Sequence, residues 1–558
     1  MPPREPPSLL TTAEQSQWKR TGRYDEAVRL CRDFARVYPG VGCEEIGRTG
    51  QDRPIVVLRI ARKAALPVIY IQAGIHAGEI EGKDAGFWFL RHLLAGMVAR
   101  GALDHVSIVF VPVVNPDGHE RFGPNHRPNQ RGPEEMGFRT NGARQNINRD
   151  FVKADTPEMQ ALLRVITRWD PTLFIDRHAT DGAKFEHDVS VIVAPLAPRG
   201  DELEETAATL SDVIQRGLTA RGHLPVPFYP SFIDEADPAS GFEVGEAPPR
   251  FSNWYMAARG RLGVLVETHS WRTFGERARA TYHVLETVLA EAIRSASRWR
   301  AVADQTSRAS AALGGSKLTL GWKTGPRTRP LAFRGYAYEK RPSEISGSTW
   351  LVYDETKPEV WNVPLHDELI PDVTVDVPRG GYIVDGGFAK LVGAILDHHG
   401  IHYQPVGGTH AVETMRARKV TYLPPFEGRT RTTIEGAWAG ETRKLEQHAI
   451  FVPIAQPLAR LVVHLFDPAL PDSLAAWGHF NVAFEQKEYM EAYVVEEQAR
   501  AMLAADPTLQ ATFDQAIAAD PELAKSPARR LAWFYHQHPA WDERVNLLPV
   551  YRIAAPPR

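Results

Sequence analysis

Short apolar runs alternate with longer amphipathic stretches through the first half of the chain. After a Pro-rich leader (1–20), a helical pattern runs from about Arg23 to Val37 and ends at Pro39. The runs that follow lack period-2 polarity, which predicts strands buried on both faces of a largely parallel sheet. They are VIYIQAG (68–74), VSIVFVPVV (106–114), TLFIDRH (172–178), VSVIVAP (189–195) and GVLVETH (263–269). Helical stretches separate them, so the pattern predicts an α/β fold: a mainly parallel mixed sheet with helices on both faces.

The second half has a different pattern of apolar and polar residues. The small, polar stretch 306–317 predicts a boundary, and short alternating segments bounded by Gly and Pro then predict a β-rich module over 318–445. A helical piece at 386–400 lies inside it. Residues 446–558 are predicted to be mainly helical, with one helix across 472–503 and further starts at Asp506-Pro507, Asp520-Pro521 and Ser526-Pro527. The α/β domain is placed at 21–305.

Composition narrows the class of protein. The 558 residues carry 65 Lys+Arg against 68 Asp+Glu, a formal net charge of -3, which gives no reason to expect nucleic acid or an anionic membrane as partner. No apolar stretch is long enough to span a membrane. Cys31 and Cys43 allow at most one bridge, and the helical setting of Cys31 favours a buried thiol over a redox role.

Two histidines and a glutamate stand at predicted strand ends. His76 and Glu79 follow the strand at 68–74, and His178 ends the strand at 172–178. Open α/β sheets place ligands at the carboxyl ends of their strands, and a catalytic zinc site needs three such protein ligands. The pair H-x-x-E is weak by itself, and a lone histidine is more often a hydrogen-bonded structural residue. The combination at matching strand ends predicts a metal site, while the missing H-E-x-x-H motif argues against the thermolysin-like class.

Five motifs in this order and approximate spacing resemble the zinc carboxypeptidase family over about residues 23–300. The motifs are HAGE (76–79), NPDG (115–118), NINRD (146–150), His178 at a strand end and Glu267 in VLVETHS. The resemblance implies a carboxypeptidase-like fold with one zinc ion per chain, held by His76, Glu79 and His178. It also implies that Glu267 is the catalytic base, which takes a proton from the attacking water and delivers it to the leaving amine.

The resemblance extends to the groups that would bind substrate. Asn148 and Arg149 match the family pair that holds the free terminal carboxylate, for which the planar fork of Arg is suited. Arg139 is similar to the arginine that polarises the scissile carbonyl and stabilises the oxyanion. The spacing leaves Arg131 and Arg144 as alternatives for that role.

The sequence departs from the family pattern at several positions. Gly78 stands where pancreatic-type members have an arginine, and Asn146 replaces an aspartate, which alters the surroundings of the metal. The mobile tyrosine has no clear counterpart, Tyr255 being nearest in type. An ungapped alignment brings Ser252 to the floor of the specificity pocket, which would make it neither purely apolar nor acidic. Arg250 could favour an acidic substrate or lie in solvent.

We therefore expect a zinc metallocarboxypeptidase that releases C-terminal residues from peptides. A related zinc amidohydrolase acting on N-acyl amino acids or peptidoglycan stem peptides is the nearest alternative, because the same metal site serves both. A protein of another class, an inactive binding protein on the same scaffold, is disfavoured by the complete set of ligands and base. The expected partner is a peptide or small amide with a free carboxylate. The chain as given predicts the cytoplasm, and a trimmed signal would place the protein in the periplasm or outside the cell.

Overall fold

The computed structural model describes residues 9–557. Up to Ala311, strands and helices alternate as the apolar pattern predicts. The strands are β1 Val41–Arg48, β2 Pro54–Ile60, β3 Val68–Ala73, β4 Ser107–Val111, β5 Leu173–Ala179, β6 Val189–Ala194, β7 Pro225–Val226, β8 Phe232–Asp234, β9 Asp237–Glu243 and β10 Leu262–Thr268. The helices are α1 Thr12–Gln15, α2 Tyr24–Val37, α3 Glu81–Leu94, α4 Pro116–Glu120, α5 Pro157–Trp169, α6 Glu202–Thr219, α7 Ser252–Ala258 and α8 Phe274–Ala311.

One mixed sheet organises this half, in the strand order β1-β2-β4-β3-β5-β10-β6-β7. The central strands β4, β3, β5 and β10 are parallel to one another, whereas β1, β2 and β6 join in antiparallel pairs. The predicted mainly parallel mixed sheet is confirmed. Because β3, β5 and β10 are parallel neighbours, their carboxyl ends lie together, and the register sets Glu267 directly opposite His178.

Helices cover both faces of the sheet, as predicted. Ile69 and Ile71 of β3 belong to a core shared with α2, α3, α6 and α8. Val68 and Tyr70 of the same strand belong to a second core that includes α5 and α7. Successive strand residues point to opposite faces, so an uninterrupted apolar run is what a sheet covered on both sides requires.

The second half begins with long strands, continues with a group of helices and ends with the short strand β20. The strands are β11 Lys317–Thr324, β12 Arg329–Pro342, β13 Thr349–His366, β14 Leu369–Asp376, β15 Gly381–Val384, β16 Gln404–Pro405, β17 Thr409–Phe426, β18 Arg429–Lys444, β19 Ile450–Pro453 and β20 Val550–Ile553. The helices are α9 Gly386–His399, α10 Ala459–Phe466, α11 Ala492–Ala505, α12 Pro507–Ala519, α13 Pro521–Lys525 and α14 Pro527–Gln537. In the described part of the chain, no helix combines the length and apolarity needed to cross a bilayer.

Two long hairpins, β12–β13 and β17–β18, dominate this half. The first joins β9 and β8 in a four-stranded sheet, and the second forms one side of a six-stranded sheet with β20, β15, β19 and β16. Buried residues of β15, β19, α9 and α10 share one core with α5 and β3 of the first half. The domain boundaries given by the sequence stay a prediction.

The three predicted helix starts are confirmed, whereas the predicted long C-terminal helix is wrong in part. Asp506, Asp520 and Ser526 each accept a hydrogen bond from the backbone of the helix that follows, as predicted for α12, α13 and α14. The helix expected across 472–503 is wrong in its first part, because α11 begins only at Ala492. The preceding segment folds around the fully buried Trp477, and Gly478 has a positive φ of 76°, which interrupts any helix.

The cysteines also correct the sequence interpretation. Cys31 and Cys43 form a disulfide, so the interpretation of Cys31 as a buried free thiol is wrong. Cys31 lies on α2 and Cys43 on β1, and these two elements pack together. The bridge depends on this packing, which the helical pattern around Cys31 does not reveal.

Candidate metal centre and substrate cavity

The predicted ligands meet at the carboxyl edge of the central sheet. His76 and Glu79 lie in the turn between β3 and α3, and His178 lies near the end of β5. Glu79 Oε1 is 3.1 Å from His76 Nδ1, and Glu79 Oε2 is 3.0 Å from His178 Nδ1. The two Nδ1 atoms are 3.1 Å apart. All three side chains are buried, and the structure thus brings together a group that could hold a metal ion.

The outward nitrogens of both imidazoles also have oxygen neighbours. His178 Nε2 lies 3.0 Å from Asp176 Oδ2, two residues earlier on the same strand. His76 Nε2 lies 3.1 Å from Asn146 Oδ1. An oxygen on the far nitrogen of a histidine fixes its tautomer and ring orientation, which is the usual surrounding of a metal-ligating histidine. Sequence reasoning missed Asp176, although its position two residues before His178 was a usable signal.

The surroundings shift the pKa values of the three side chains in different directions. Burial lowers the pKa of His76 to about 3, so this imidazole is neutral and able to ligate a metal. Burial alone would also lower the pKa of His178, but Asp176 and Glu79 raise it well above its usual value. Burial would raise the pKa of Glu79, but the neighbouring Arg127 and His76 hold it well below its usual range. The cluster thus concentrates negative charge on Glu79.

The donor set fits zinc. Two imidazole nitrogens and a carboxylate make up one of the common catalytic zinc sets. Zinc–nitrogen and zinc–oxygen bonds of about 2.0–2.1 Å imply ligand atoms roughly 3.3 Å apart in a tetrahedron. The distances of 3.0–3.1 Å among His76, Glu79 and His178 are close to that spacing. Without a cation between them, two facing imidazole nitrogens would need to share a proton.

Glu267 lies beside this cluster. It is opposite His178 in the parallel register of β10 and β5, and it lines the same cavity as His76. Burial raises its pKa to about 8, with Glu79 adding to the rise and His178 opposing it. Glu267 Oε2 is buried and makes no hydrogen bond in the described part of the chain. A cation held by His178 would favour the ionised form of this carboxylate.

A cavity of about 420 Å³ opens in front of these residues. Its lining mixes apolar and aromatic side chains with polar ones, among them Arg139, Asn148, Arg149, Asp181, Glu243 and Glu267. Arg149 stacks 4.2 Å above the ring of Phe251, and no carboxylate in the described part of the chain pairs with it. Burial lowers the pKa of Arg149 to about 10, and the cations Arg139 and Arg250 add to this effect. An unpaired guanidinium in such a cavity is suited to an anionic group of a ligand.

Two arginines contact the same oxygen of Glu79. Arg139 Nη1 is 3.2 Å and Arg127 Nη1 is 2.9 Å from Glu79 Oε1. A Cβ added at Gly78 would lie 2.5 Å from Arg127 Cγ, so the glycine leaves room for the arginine. Sequence reasoning missed Arg127. Pancreatic-type family members have an arginine at the position of Gly78, directly before the zinc-ligand glutamate. In this chain Arg127, from a later loop, places its guanidinium beside Glu79 instead.

The two alternatives to Arg139 for stabilising the oxyanion do not line the cavity. Arg131 is exposed and pairs with Glu355 of β13, and Arg144 is exposed without contact to the cavity.

Tyr255 was the tyrosine nearest in type to the family's mobile tyrosine. It is fully buried, and its hydroxyl contacts His399 and Arg259.

Tyr229 lines the cavity instead of Tyr255, and its hydroxyl accepts a hydrogen bond from the Asp181 amide. Burial, reinforced by Glu267 and other nearby carboxylates, raises the pKa of Tyr229, so its hydroxyl stays protonated. Tyr229 was not singled out from the sequence, in which it lies far upstream of Glu267.

Two interpretations of the specificity pocket are wrong. Ser252 is buried but does not line the cavity, which is bounded there by Asn253 and Trp254. Arg250 neither lies in solvent nor faces the cavity, because it is largely buried and paired with Asp472 at 3.3 Å. The ungapped alignment failed here because counting residues back from Glu267 does not tell which side chains of α7 face the cavity.

Comparison with known proteins confirms the resemblance. The model of the zinc carboxypeptidase family matches residues 27–221. Carboxypeptidase A4 of Mus musculus is 31% identical over 102 residues, 17% of this chain and 24% of that protein. Carboxypeptidase B of Helicoverpa zea is 32% identical over 112 residues, 18% of this chain and 26% of that protein. The chain thus spans about a quarter of the length of these relatives.

Solved carboxypeptidase structures are also similar. A metallo-carboxypeptidase from Burkholderia cenocepacia has 19% identity and a TM-score of 0.36, covering 48% of this chain and 68% of that one. A metallo-carboxypeptidase from Pseudomonas aeruginosa, in complex with (2-guanidinoethylmercapto)succinic acid, has 20% identity and a TM-score of 0.34, covering 48% and 69%. Carboxypeptidase A from Helicoverpa armigera has 16% identity and a TM-score of 0.36, covering 50% and 75%.

Proposed function

We propose that the part of the chain that resembles zinc carboxypeptidases is a zinc-dependent hydrolase that cleaves an amide bond next to a free carboxylate. Its substrates are peptides, from which it releases the C-terminal residue. One observation carries this proposal: His76 of the His76–Glu79–His178 cluster, Glu267 and the guanidinium of Arg149 line one cavity, and no carboxylate in the described part of the chain pairs with Arg149. A cation site and a carboxylate site in the same cavity suit a substrate whose reacting carbonyl lies close to a terminal carboxylate.

The residues of the chain divide the chemistry among them. A zinc ion at this site would polarise the scissile carbonyl and make an attacking water more acidic. Glu267 takes the proton of that water and passes it to the leaving amine. Arg139 stabilises the negative charge that develops on the carbonyl oxygen. Arg149 and Asn148 bind the terminal carboxylate, and the apolar walls of the cavity receive the last side chain.

Two matched substrates test the proposal. Purified protein loaded with zinc is given the same peptides with a free or an amidated C-terminus, and the products are measured by mass spectrometry. We expect the free acids to be cleaved and the amides to resist, because Arg149 loses its charge-assisted partner. Equal cleavage of both would contradict the carboxypeptidase proposal and favour amidase chemistry with another substrate contact.

Substitution of Arg149 adds a second measurement of the same contact. Arg149→Ala should lower kcat/KM for free-acid peptides by one to several orders of magnitude, corresponding to roughly 2–5 kcal/mol of lost binding in the transition state. Any residual activity on amidated peptides should barely change. Arg144→Asn is the matched control, since it removes an exposed arginine of the same segment at a positive φ that Asn tolerates. Its kinetics should equal those of the wild type.

A further inference from the structure

The tip of the β17–β18 hairpin has an unusual residue for its conformation. Phe426 pairs with Arg429, so Glu427 and Gly428 form a two-residue turn, and both have positive φ, 49° and 79°. Turns of this kind favour Asn or Gly at the first position, because other side chains are strained there. A glutamate held in such a conformation indicates that its side chain is needed for something other than the turn.

The tip is seated on the segment that carries the predicted substrate groups. Glu427 Oε2 accepts a hydrogen bond of 2.8 Å from the backbone amide of Asn146. Beyond the turn, the guanidinium of Arg429 binds both carboxylate oxygens of Asp155, at 2.8 and 2.5 Å. The contact therefore has two anchors on the segment 146–155. The hairpin reaches it from the second half of the chain, 281 residues away from Asn146.

Asn146 connects the tip to the candidate metal centre. Its Oδ1 atom lies 3.1 Å from His76 Nε2 and also accepts a hydrogen bond of 3.1 Å from the Asn148 amide. A single side-chain oxygen thus orients a predicted zinc ligand and the start of the turn that carries Arg149. The position of that oxygen depends on the backbone of Asn146, which Glu427 holds. The negative charge of Glu427 also opposes the lowering of the Arg149 pKa that burial causes.

We propose that Glu427 is a positioning residue, through which the second half of the chain fixes Asn146 and thereby orients His76 and the Asn148–Arg149 pair. The inference rests on the proposed zinc hydrolase function. It gives the β17–β18 hairpin a specific role. The first half supplies every predicted ligand and catalytic group, and the hairpin tip holds Asn146, a neighbour of both His76 and Asn148.

Substitutions at Glu427 separate this positioning role from the stability of the turn. Glu427→Asn suits the left-handed conformation but is too short to replace the carboxylate, so the turn is kept and the bond to Asn146 is lost. Glu427→Gly is a second variant without strain in the turn. Glu427→Gln keeps an acceptor oxygen at the same reach. Glu435→Gln is the matched control, since Glu435 lies on the same hairpin and forms an ion pair with the exposed Lys419.

Three measurements decide the outcome: the zinc dissociation constant, kcat and KM for a free-acid peptide, and hydrogen exchange of the amides at 146–149 in the zinc-free protein. We expect Glu427→Asn and Glu427→Gly to weaken zinc binding by about tenfold, the lower range for loss of a partner around a metal site. KM should rise and exchange at 146–149 should accelerate, while the melting temperature of the zinc-free protein stays equal or rises. Glu427→Gln should recover most of the wild-type values, and Glu435→Gln all of them.

The inference and the proposed function fail in different ways. Unchanged zinc affinity, KM and exchange in both Glu427→Asn and Glu427→Gly would overturn the positioning role of Glu427 and leave the proposed function intact. A wild-type protein that binds no zinc would overturn the proposed function. In that case the exchange of the 146–149 amides still decides whether Glu427 holds this segment. A melting temperature that falls together with all other values, without rescue by Glu427→Gln, would assign Glu427 a merely structural role.

Discussion

The two halves of the chain contribute to one site by different means. In the first half, His76, Glu79, His178 and Glu267 lie at the ends of adjoining parallel strands, whose register sets their mutual distances. The second half contacts a neighbour of the metal cluster with the tip of the β17–β18 hairpin, through the hydrogen bond between Glu427 and Asn146. The predicted ligands and base are therefore placed by the strands of the buried sheet and the turn that follows β3, whereas Glu427 of the other half acts by holding a residue that orients one of them.

A second hairpin contact makes the comparison sharper. Glu355 of β13 also joins the two halves, since its carboxylate lies 3.0 Å from Arg131 and 2.8 Å from Lys184. These partners are partly exposed and touch no residue of the metal cluster. Glu355 and Glu427 are thus two glutamates on hairpins of the same half, and only Glu427 leads to the metal centre.

The largest effect is expected from the sheet itself. His178→Ala removes one of the three predicted ligands, so the zinc content should fall from about one ion per chain to a small fraction, and hydrolysis should fall to background. Metal analysis of the purified variant together with a peptide-release assay checks this. Substitution of the exposed His536 by Ala should change neither value. A variant at position 178 that keeps about one zinc ion per chain would break the ligand assignment.

The second largest effect is expected at Glu267, and it tests whether this residue carries a proton or binds the metal. Glu267→Gln preserves the size of the side chain and should leave zinc content and melting temperature unchanged. The chemical rate should fall by a factor on the order of 10² or more, because a positioned acid and base is lost. Single-turnover kinetics beside metal analysis measure both quantities. If zinc were lost as well, Glu267 would have to be reassigned as a ligand.

The smallest effect is expected at Glu355. Its ion pairs are partly exposed, and such pairs contribute only about 0–1 kcal/mol to stability. Glu355→Gln should therefore change the free energy of unfolding by no more than this, and zinc affinity and kcat/KM should stay within about twofold of the wild type. Denaturant unfolding and the peptide assay test the expectation. A loss of zinc affinity as large as that predicted for Glu427→Asn would remove the distinction between the two hairpins.

Much of the first half could be predicted because its signals are local. The apolar runs gave β3, β4, β5, β6 and β10 within a few residues at either end, since a strand covered on both faces must be apolar throughout. The capping residues before Pro gave α12, α13 and α14 for the same local reason. The prediction that His76, Glu79 and His178 lie close together needed only the rule that the carboxyl ends of parallel strands meet at one edge of a sheet.

Predictions failed where distant residues decide the structure. The segment from residue 472 has a helical pattern, yet Asp472 binds the backbone amide of Arg250 at 2.7 Å and Trp477 is buried, so tertiary contacts override the local preference. The wrong roles given to Ser252 and Arg250 have a similar origin. An alignment fixes the number of residues before Glu267 but not the direction in which α7 turns its side chains.

The sequence by itself determined the sheet, the edge at which ligands would meet and the residue types gathered there, because all of these follow from hydrophobic periodicity and short motifs. Only the tertiary structure decided that Arg127 lies against Glu79 beside Gly78, that Tyr229 rather than Tyr255 faces the cavity, and that Glu427 holds Asn146. These contacts join loops and hairpin tips that are distant along the chain. Loops carry no periodic signal, and their side chains meet only after the buried cores of both halves have fixed where each loop begins and ends.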